Sequence, residues 1–330
     1  MTRIGVIYLC RFAEGERPVR AFVDSYRAHP AGLDHDLHVI FKGFRGADSS
    51  GAARALFGEL PIHPIELDDK GYDIGAYFTA ARLVDNPRLI FFNTFTELLA
   101  DGWLKKFDDA LNRPGVGLVG ATGSWQSHKS VYEASLQQAL RSVGHPMEYA
   151  IRLRTDLQNV DAGRDGPSAG TADKVAQARV PRLFSRFGAS LYHLLWFGHF
   201  LVRYLRYPNP HIRTNAFMIE RDRFLSLRVS SFRTKFGVYK FESGRQSLTQ
   251  QMLAQNLRPV VVDRDGRVYE TTDWESSSTY CSGQQANLIA ADNRTRSYSE
   301  ANQQIRAHLR AQAWEHPLSW NWERSLSARR

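Results

Sequence analysis

The sequence predicts an α/β fold, in which a mostly parallel central sheet is flanked by helices and interrupted late in the chain by a basic helical insertion. Three observations support this prediction. Residues 4–10, IGVIYLC, form a continuous apolar run, as in a strand that is buried on both faces. Strand-like and helix-like segments alternate through the first third of the chain. The connections between them are short, which favours a mostly parallel sheet.

The elements of the first part follow one another in a simple order. Strands are predicted at residues 4–10, 36–44, 62–68, 88–93 and 116–122, and helices at residues 18–29, 49–60, 73–86 and 100–115. Pro18 stands near the start of the first helix, where a missing amide costs little. Asp73 is expected to cap the third helix, and Asn86 with the following proline to end it. Ligands of such sheets bind outside the carboxyl ends of the strands.

The α/β pattern resumes after residue 208. Residues 215–227 predict a strand and a short helix, and residues 258–269 a strand followed by an Asp-Gly turn. Between them a helix is predicted, with Ser247 as its cap and Asn256 at its carboxyl end. A last helix is predicted within residues 296–314, and the end of the chain is expected to fray.

Composition restricts the partners and the cellular location. The net charge of +9 and the pI near 9.6 indicate an anionic partner, such as a nucleotide, a nucleic acid or an acidic membrane surface. Cys10 and Cys281 lie far apart and have no spaced partners, so we expect reduced thiols and no zinc site. No apolar run approaches the roughly 20 residues that cross a bilayer, and the amino-terminal run is too short for a signal peptide.

A basic insertion separates the two α/β parts. Residues 151–207 are predicted to form a linker and an amphipathic helix, and residues 174–219 contain seven basic residues and no acidic one. The mixture of arginines and aromatic residues in 181–207 fits a helix that lies on an anionic membrane. Burial of this helix against the main domain, or against a second copy in a homodimer, is the alternative. The sequence leaves both open.

In the first part of the chain, one predicted helix start and one predicted strand end carry polar residues that suit a ligand. Asp73 could accept a hydrogen bond from a base or from a ribose hydroxyl, and plain helix capping is the alternative. Asn93 and Thr94 end the apolar run LIFF and could bind a ribose or a phosphate. They are poor ligands for a hard divalent cation, which prefers carboxylates. A turn that merely caps the strand is the alternative there.

Two further segments extend this set. In GATGSW, residues 120–125, small residues allow close approach of a ligand, and Trp125 offers a stacking face for a sugar or a base. An ordinary tight turn with a half-buried tryptophan is the alternative. Glu242 is predicted on a loop before a helix, with Arg245 three residues further on. A lone carboxylate at a pocket mouth suits a general base, and charge pairing at a helix amino terminus is the alternative.

Several well-known motifs are absent from the sequence. It contains no G-x-S-x-G nucleophile elbow, no H-E-x-x-H, and no G-x-G-x-x-G after the first strand. The segment GATGSW lacks the Lys-Ser/Thr ending of a P-loop. The basic charge is concentrated in the insertion and follows no nucleic-acid-binding motif, so a nucleic-acid partner is not expected.

The order of these segments resembles the glycosyltransferases of the GT-A fold, especially the family-two-like bacterial enzymes of surface polysaccharide synthesis. The resemblance covers residues 2–150 and 208–298 and rests on DIGAYFTAA, LIFFNTFTELLADGWL, VGLVGATGSW, HIRTNAFMIERDRFL and FESGRQSLTQQMLAQNLRPVVVDRDG. It implies a GT-A-like, Rossmann-like domain. Residues 1–150 would be its nucleotide-sugar-binding part, residues 208–300 its acceptor-side part, and residues 301–330 a C-terminal helix and tail.

The resemblance also implies an activity, namely transfer of a sugar from a nucleotide-diphosphate donor to a glycan or lipid-linked acceptor. Glu242 takes the position of the catalytic base of an inverting enzyme, and Asp73 lies near the nucleotide-contacting acid. Residues 93–95 occupy the position of the metal-binding D-x-D motif, but carry no carboxylate. Ser243 stands where a second acid is expected beside Glu242. Dependence on Mg²⁺ or Mn²⁺ is therefore left open, and no metal ligand is assigned.

The remaining roles follow from the same resemblance. Asn93, Thr94, Arg213 and Arg245 are expected to bind the nucleotide sugar with Asp73, and Ser124, Trp125 and Asn215 the acceptor. Without a metal, the two arginines would neutralise the leaving diphosphate. The alternative is a non-catalytic GT-A-like module that binds glycans or scaffolds a polysaccharide assembly system, which the missing D-x-D favours. The expected location is cytoplasmic, at the inner face of the cell membrane if the insertion binds lipid.

Overall fold

The computed structural model describes residues 3–44, 47–141, 202–229, 231–232 and 234–319. The chain divides into two compact units, Met1–Gln126 with Asn209–Trp314, and Ser127–Pro208 with Glu315–Arg330. Most of the basic insertion predicted at residues 151–207 lies outside the described residues, as does the end of the chain after residue 319. Within the described part, no helix is long and apolar enough to cross a bilayer.

The first unit is built on an eight-stranded sheet. Its strands are β1 (Ile4–Arg11), β2 (His35–Lys42), β3 (Ile62–Leu67), β4 (Arg88–Phe92), β6 (Val116–Gly120), β9 (Ala216–Glu220), β10 (Arg258–Val262) and β11 (Val268–Tyr269). They lie in the order β11-β10-β6-β9-β4-β1-β2-β3. All run parallel except β9 and β11. This confirms the predicted α/β class with a mostly parallel sheet.

Two pairs of short antiparallel strands complete the sheet structure. In one, β5 (Glu97–Leu98) pairs with β12 (Ala290–Ala291). In the other, β7 (Gly123–Ser124) pairs with β8 (His211–Ile212). The second pair joins the segment after β6 to the segment that leads into β9, so both approach the same edge of the main sheet.

Strand β9 runs antiparallel between β4 and β6, and this direction was not predicted. Its register places Ala216 beside Phe92 and Phe217 beside Gly120. The amino end of β9 therefore meets the carboxyl ends of its two neighbours. A strand buried on both faces is a continuous apolar run whichever way it points, so the sequence pattern carries no information on its direction.

Helices cover both faces of the sheet. They are α1 (Glu16–Ala28), α2 (Ala47–Ala55), α3 (Tyr72–Leu83), α4 (Trp103–Leu111), α6 (Arg221–Ser226), α7 (Lys235–Ser243), α8 (Leu248–Leu253), α9 (Asn293–Glu300) and α10 (Gln303–Trp314). The second unit contains α5 (His128–Arg141) and a 3-10 turn, Pro317–Ser319. A further 3-10 turn, Phe12–Glu14, follows β1.

Alternate side chains of β1 enter two separate hydrophobic clusters. Val6, Tyr8 and Cys10 belong to the cluster shared with α1 and α4, whereas Ile7 and Leu9 belong to the one shared with α3, α6, α7 and α8. This is the period-two alternation of a strand that is buried on both faces. Burial raises the pKa of the Cys10 thiol to about 12, so this thiol stays neutral, and it is free of any disulfide.

Several predicted helix boundaries are corrected. The cap of α3 is Gly71, with φ of 76°, and Asp73 lies inside the first turn. The helix ends at Leu83, and Asn86 instead donates its side-chain amide to the Arg3 carbonyl at 3.0 Å. The prediction failed because a glycine in the left-handed conformation can start a helix without a side-chain cap.

The carboxyl-terminal elements were predicted more closely. The Ser247 hydroxyl accepts from the Gln250 backbone N–H and caps α8, as predicted. Asn256, with φ of 56°, adopts the left-handed conformation just after that helix. The single last helix is in fact two, α9 and α10, and Asp292 caps the first of them through a capping box with Thr295.

The glycines of GATGSW make room for protein side chains. A Cβ on Gly123 would lie 2.4 Å from the Trp274 ring, and one on Gly120 would lie 2.4 Å from Ile212. Real Cβ atoms do not approach other atoms this closely. The expected close approach therefore exists, and its partners are Trp274 and Ile212 of the chain itself.

We predict that Gly123→Ala lowers the free energy of unfolding by about 1–3 kcal/mol, because the added methyl group collides with the buried Trp274 ring. Urea unfolding followed by circular dichroism measures the change. The matched control is Gly51→Ala in α2, where a Cβ meets nothing within 4 Å. There we expect stabilisation of up to about 1 kcal/mol, because alanine favours the helix. Equal losses in both variants would contradict the packing explanation.

Candidate functional site

The carboxyl ends of β1, β4 and β6 and the amino end of β9 meet at one edge of the main sheet. Here the Asn93 backbone N–H donates to the Asn215 carbonyl at 3.0 Å, and the Ala121 N–H to the Ala216 carbonyl at 3.0 Å. The Tyr8 hydroxyl donates to the Thr94 carbonyl at 2.9 Å. We call this region the strand-end site. It is the edge at which parallel sheets of this class bind ligands.

Glu242 approaches the strand-end site from α7. It lies in the last turn of this helix, and the prediction of a loop position was wrong. Its Oε1 accepts hydrogen bonds from the Thr214 backbone N–H at 2.9 Å and from the Thr214 hydroxyl at 3.2 Å. Within the described part of the chain, Oε2 makes no hydrogen bond. One oxygen is thus held in place, and the other can act on a bound molecule.

Asp73 reaches the same site from the first turn of α3. Burial raises the pKa of its carboxyl group. The positive charges of Lys42 and Arg11 oppose this shift, and the negative charges of Glu242 and Glu14 add to it. Asp73 makes no hydrogen bond or ion pair to any residue that the structure describes. Its carboxyl group therefore lies among charged groups without a direct protein partner.

Two buried polar atoms near these acids also have no hydrogen-bond partner in the described structure. They are the Tyr77 hydroxyl and the Asn215 side-chain nitrogen, Nδ2. The pKa of Tyr77 is raised by burial and then by the charges of Asp73, Tyr8 and Glu242. Leaving such an atom unsatisfied costs about 1–3 kcal/mol, so each is a candidate contact for a ligand.

Asn215 links the strand-end site to the segment after β6. Its Oδ1 accepts from the Thr122 hydroxyl at 2.8 Å, whereas its Nδ2 has no partner among the described residues. Its carbonyl also lies 3.3 Å from the Thr96 hydroxyl, which donates to it. The side chain is therefore fixed on its acceptor side and unsatisfied on its donor side.

Arg213 forms a buried ion pair with Asp292. Its guanidinium donates to Asp292 Oδ2 at 2.8 Å and lies 4.2 Å from the centre of the Tyr280 ring. Burial alone would raise the pKa of Asp292, but the charge of Arg213 and the Thr295 backbone N–H outweigh it and lower that pKa. The positive charge of Arg213, which was expected to face the diphosphate, is thus offset by Asp292.

A second charged cluster lies at the carboxyl ends of β1, β2 and β3. Asp69 accepts from Arg11 Nε at 3.1 Å, from a terminal nitrogen of the same guanidinium at 3.0 Å, and from Lys42 Nζ at 2.9 Å. Lys42 is almost completely buried. Two aromatic side chains beside this cluster, Phe12 and Tyr72, are 58% and 38% exposed.

Asn93 and Thr94 lie at the strand-end site, where the side-chain oxygen of Asn93 is used in the local turn. Asn93 Oδ1 accepts from the Phe95 backbone N–H at 3.0 Å and from the Thr96 hydroxyl at 3.1 Å. Thr94 is buried. Across the described ranges, no three His, Cys, Asp or Glu side chains come together as metal ligands. The residues at the D-x-D position therefore do not fit a divalent metal.

Ser124 and Trp125 are held by main-chain carbonyl groups. The Ser124 hydroxyl is buried and donates to the Ala313 carbonyl at 3.1 Å. The Trp125 ring nitrogen donates to the Thr271 carbonyl at 2.9 Å, and its ring meets Trp314 edge-on. Both residues thus have structural roles, and their binding of an acceptor stays a prediction.

Arg245 lies on the turn between α7 and α8 and is exposed. Of the residues predicted to form the site, Asn215, Asn93 and Thr94 lie at the strand-end site, and Glu242 is bonded there to Thr214. Asp73 forms no hydrogen bond or ion pair with any of them. Arg213 lies close enough for the charge of Glu242 to raise its pKa, although burial opposes this.

Sequence reasoning missed Tyr77, Asp69 and Asp292. Tyr77 follows Asp73 by four residues on a predicted helix, a spacing that places both on one face. Asp292 precedes Thr295 by three residues, which is the spacing of a capping box. Asp69 follows a predicted strand directly. Each signal was present in the sequence, but none of them indicated which distant group the side chain would meet.

A separate cavity of about 440 Å³ lies beside β2, β3 and the end of α3. Its lining includes His38 and His63, whose rings are 5.1 Å apart. His38 Nε2 is hydrogen-bonded to Asn86 Oδ1 at 2.9 Å, and burial lowers its pKa. This cavity shares no lining residue with the strand-end site, so it adds nothing to the chemistry there.

We predict that Asp69→Asn lowers the free energy of unfolding by about 1–2 kcal/mol at neutral pH, because Lys42 is left buried without a carboxylate. Hydrogen bonds from Arg11, opposed by burial and assisted by Lys42, hold the pKa of Asp69 at about 2. Since this pKa is below that of an unfolded aspartate, the stabilisation is present above pH about 4. It is lost as the pH falls towards 2.

Urea unfolding over this pH range measures the effect. Asp68→Asn is the control, because Asp68 forms an ion pair with Lys70 in which both side chains are mostly exposed. Such a pair contributes little to stability, so the unfolding midpoint of Asp68→Asn should match that of the original chain. If Asp69→Asn still lowers the free energy of unfolding at pH 2, the stabilisation does not come from the ionised carboxylate of Asp69.

Comparison with known proteins gives the following results. No protein-family model and no curated protein matches the sequence. Among solved structures, a mannosyltransferase from Pyrobaculum calidifontis, in complex with GDP-Man and Mn²⁺, is 14% identical over 42% of this chain and 39% of its own, with a TM-score of 0.31. TarS 1–349 of S. aureus, alone and with UDP-GlcNAc, is 10% identical over 36% of this chain, with a TM-score of 0.29. The alignments span only about a third to two fifths of those chains.

Proposed function

We propose that this chain is a GT-A-like glycosyltransferase, which moves a sugar from a nucleotide-diphosphate donor to a hydroxyl group of a glycan or lipid-linked acceptor. The observation that carries this proposal is the position of Glu242. One carboxylate oxygen is held by Thr214 at the carboxyl edge of the sheet, and the other is available. The buried, unsatisfied atoms of Tyr77 and Asn215 beside it support a site that is completed by a polar ligand.

Glu242 acts as the general base. Its Oε2 takes the proton of the acceptor hydroxyl while the acceptor oxygen forms a bond to the anomeric carbon of the donor sugar. The bond between that carbon and the diphosphate oxygen breaks, and its electron pair leaves with the nucleoside diphosphate. Attack from the face opposite the leaving group inverts the anomeric centre. A positioned base of this kind contributes about 10²–10⁴-fold to the rate.

The charged and aromatic groups at the ends of β1 and β2 suit the nucleoside part of the donor. Phe12 and Tyr72 expose flat apolar faces, which can stack on a base. The cluster of Arg11, Lys42 and Asp69 beside them supplies donors and acceptors for polar groups of a base or a ribose.

The diphosphate is met by cationic side chains in this proposal. Arg213 contributes less than the sequence indicates, because Asp292 offsets its charge. Arg245 follows Glu242 by three residues and is exposed, so it can reach a phosphate of a donor that lies against Glu242. Asn93 Oδ1 is engaged in its own turn, so no step of the mechanism is assigned to a metal at that position.

The residues that would bind the acceptor are assigned only in general terms. Asn215 has an unsatisfied amide nitrogen, which can donate to an acceptor hydroxyl or to a donor sugar. Trp125 is half-buried and retains a partly accessible ring, whereas the Ser124 hydroxyl is engaged. Binding of an anionic membrane through residues 181–207, at the inner face of a cytoplasmic membrane, remains part of the proposal. Packing of this segment against the main domain or against a second copy in a homodimer remains the alternative.

A second candidate function is a non-catalytic module that binds glycans or scaffolds an assembly complex. The engaged side chain of Asn93 and the missing acid at Ser243 favour it. Calorimetry with a panel of UDP-, GDP-, dTDP- and ADP-linked sugars separates the two functions. Binding of at least one nucleotide sugar supports the transferase, and binding of none of them, with glycan binding retained, supports the module.

We predict that Glu242→Gln lowers kcat for the sugar nucleotide identified in this way by about 10²–10⁴-fold, because the amide cannot accept the proton. Donor affinity should change little, since the amide keeps the shape of the side chain. The assay is release of nucleoside diphosphate, with water as the acceptor where the natural acceptor is unknown.

The matched control for this measurement is Glu220→Gln. Glu220 ends β9 at the opposite edge of the sheet and is paired with Arg223 at 2.8 Å. The Glu220→Gln variant should retain the original kcat. Full activity of Glu242→Gln would exclude Glu242 as the base while leaving donor binding, and therefore the site, in place.

We predict that donor affinity is the same with and without EDTA, because Asn93 Oδ1 is already engaged and Phe95 has no ligand atom. Calorimetry with the bound nucleotide sugar, in metal-free buffer and with added Mn²⁺, measures this. An affinity that appears only with Mn²⁺ or Mg²⁺ would contradict the metal-free proposal and would show that other residues supply the ligands.

A further inference from the structure

Asp73 is an acid with no direct partner at the centre of a charged region. The cations closest to it, Arg11 and Lys42, are both bonded to Asp69, at distances of 2.9–3.1 Å. Glu14 is paired with Arg11 at 3.1 Å. Within the described ranges, these pairs leave the Asp73 carboxyl group without an ion pair or a hydrogen bond of its own. A half-buried carboxylate of this kind is a ready acceptor for a hydroxyl group.

Tyr77 lies one helical turn further along α3, on the same face as Asp73. Its ring is fully buried against Phe91, with ring centres 4.9 Å apart, and its hydroxyl group has no partner among the described residues. Its pKa is raised by burial and by the charges of Asp73 and Glu242. The unsatisfied hydroxyl therefore indicates that a polar group is missing beside the face of α3 that carries Asp73.

Helix α3 packs against α7 next to Glu242. The Phe78 and Phe241 rings meet edge-on with centres 5.7 Å apart, and Phe241 directly precedes Glu242. Across this contact, the charge of Glu242 helps to raise the pKa of Asp73. Asp73, in the first turn of α3, and Glu242, in the last turn of α7, thus lie on two helices that pack against each other.

We propose that Asp73 is a second catalytic carboxylate, which accepts a hydrogen bond from a hydroxyl group of the transferred sugar while Glu242 takes the acceptor proton. This inference rests on the proposed function. The position beside Glu242 selects the transferred sugar as the ligand, because the base must lie near the anomeric carbon of that sugar. A ribose hydroxyl of the donor offers the same chemistry, and the experiment below distinguishes the two.

The proposal has a consequence for pH. Asp73 must be ionised to accept the sugar hydroxyl. Burial, with the charges of Glu242 and Glu14 against those of Lys42 and Arg11, raises its pKa. The contact is therefore lost on acidification at a pH above the usual range for an aspartate. Removing the charge of Glu242 moves this loss to lower pH, because ionised Asp73 is then no longer repelled by a second carboxylate.

The test is calorimetry at pH 8 with the nucleotide sugar that binds the protein and with the matching nucleoside diphosphate alone. Asp73→Asn should weaken binding of the nucleotide sugar by about tenfold to hundredfold, the range for a lost hydrogen bond to a charged group. It should leave binding of the nucleoside diphosphate unchanged. Asp101→Asn, at an exposed position bonded to His29, is the control and should alter neither affinity.

The second arm follows the ratio of the two affinities from pH 8 to pH 4. The terminal phosphate of the nucleoside diphosphate takes up a proton within this range, whereas the nucleotide sugar has no such group. The ratio is therefore compared between the original chain and Glu242→Gln, for which the titration of the ligand itself is the same. In Glu242→Gln the fall that belongs to Asp73 should occur at lower pH. This arm needs no substitution of Asp73, so it decides the matter even if Asp73→Asn does not fold.

Each outcome has a defined meaning. Equal weakening of both ligands in Asp73→Asn would overturn the proposal in favour of a ribose contact. An unchanged nucleotide-sugar affinity, or a ratio with the same pH dependence in the original chain and in Glu242→Gln, would overturn it as well, while leaving the proposed transferase intact. If the original chain binds no nucleotide sugar, the proposed function fails first, and this inference fails with it.

Discussion

The pairing of β9 between β4 and β6 is the constraint on which the strand-end site depends. Because β9 is antiparallel to both neighbours, its amino end lies beside their carboxyl ends, with Ala216 opposite Phe92. The two residues before it, Thr214 and Asn215, are therefore delivered to the edge where a parallel sheet binds ligands. Thr214 holds Glu242, and Asn215 bonds to Thr122. A parallel β9 would place both residues at the opposite edge.

The polar groups at this edge fall into two kinds, and hydrogen bonding separates them. Arg213 and Asp292 satisfy each other, and Asn93 closes its own turn, so these groups hold the loops in place. Tyr77 and Asn215 keep buried atoms that nothing in the described structure satisfies. Since folding tolerates few such atoms, those that persist together beside an available carboxylate are better explained by a ligand than by stability.

The sequence was sufficient for the fold class and for most elements, because apolar runs and caps are local signals. It succeeded at Ser247, whose cap depends on residues three positions away. It failed where the outcome depends on distant partners. Nothing near Arg213 in the chain indicates that Asp292, 79 residues later, takes up its charge. Likewise, the direction of β9 depends on its connections and neighbours. The position of Glu242 depends on how far α7 extends, and the glycines and serine near Glu242 favoured a loop there.

The charges of the strand-end site restrict how a diphosphate can be bound. Asp292 offsets Arg213, and Asp69 and Glu14 are bonded to Arg11 and Lys42, so these cations have little excess charge. Asp73 and Glu242 then add negative charge with no cation bonded to either. An anionic leaving group is repelled by such a site unless another cation approaches it. Arg245, on the turn that follows Glu242, is the exposed cation that we propose for this role.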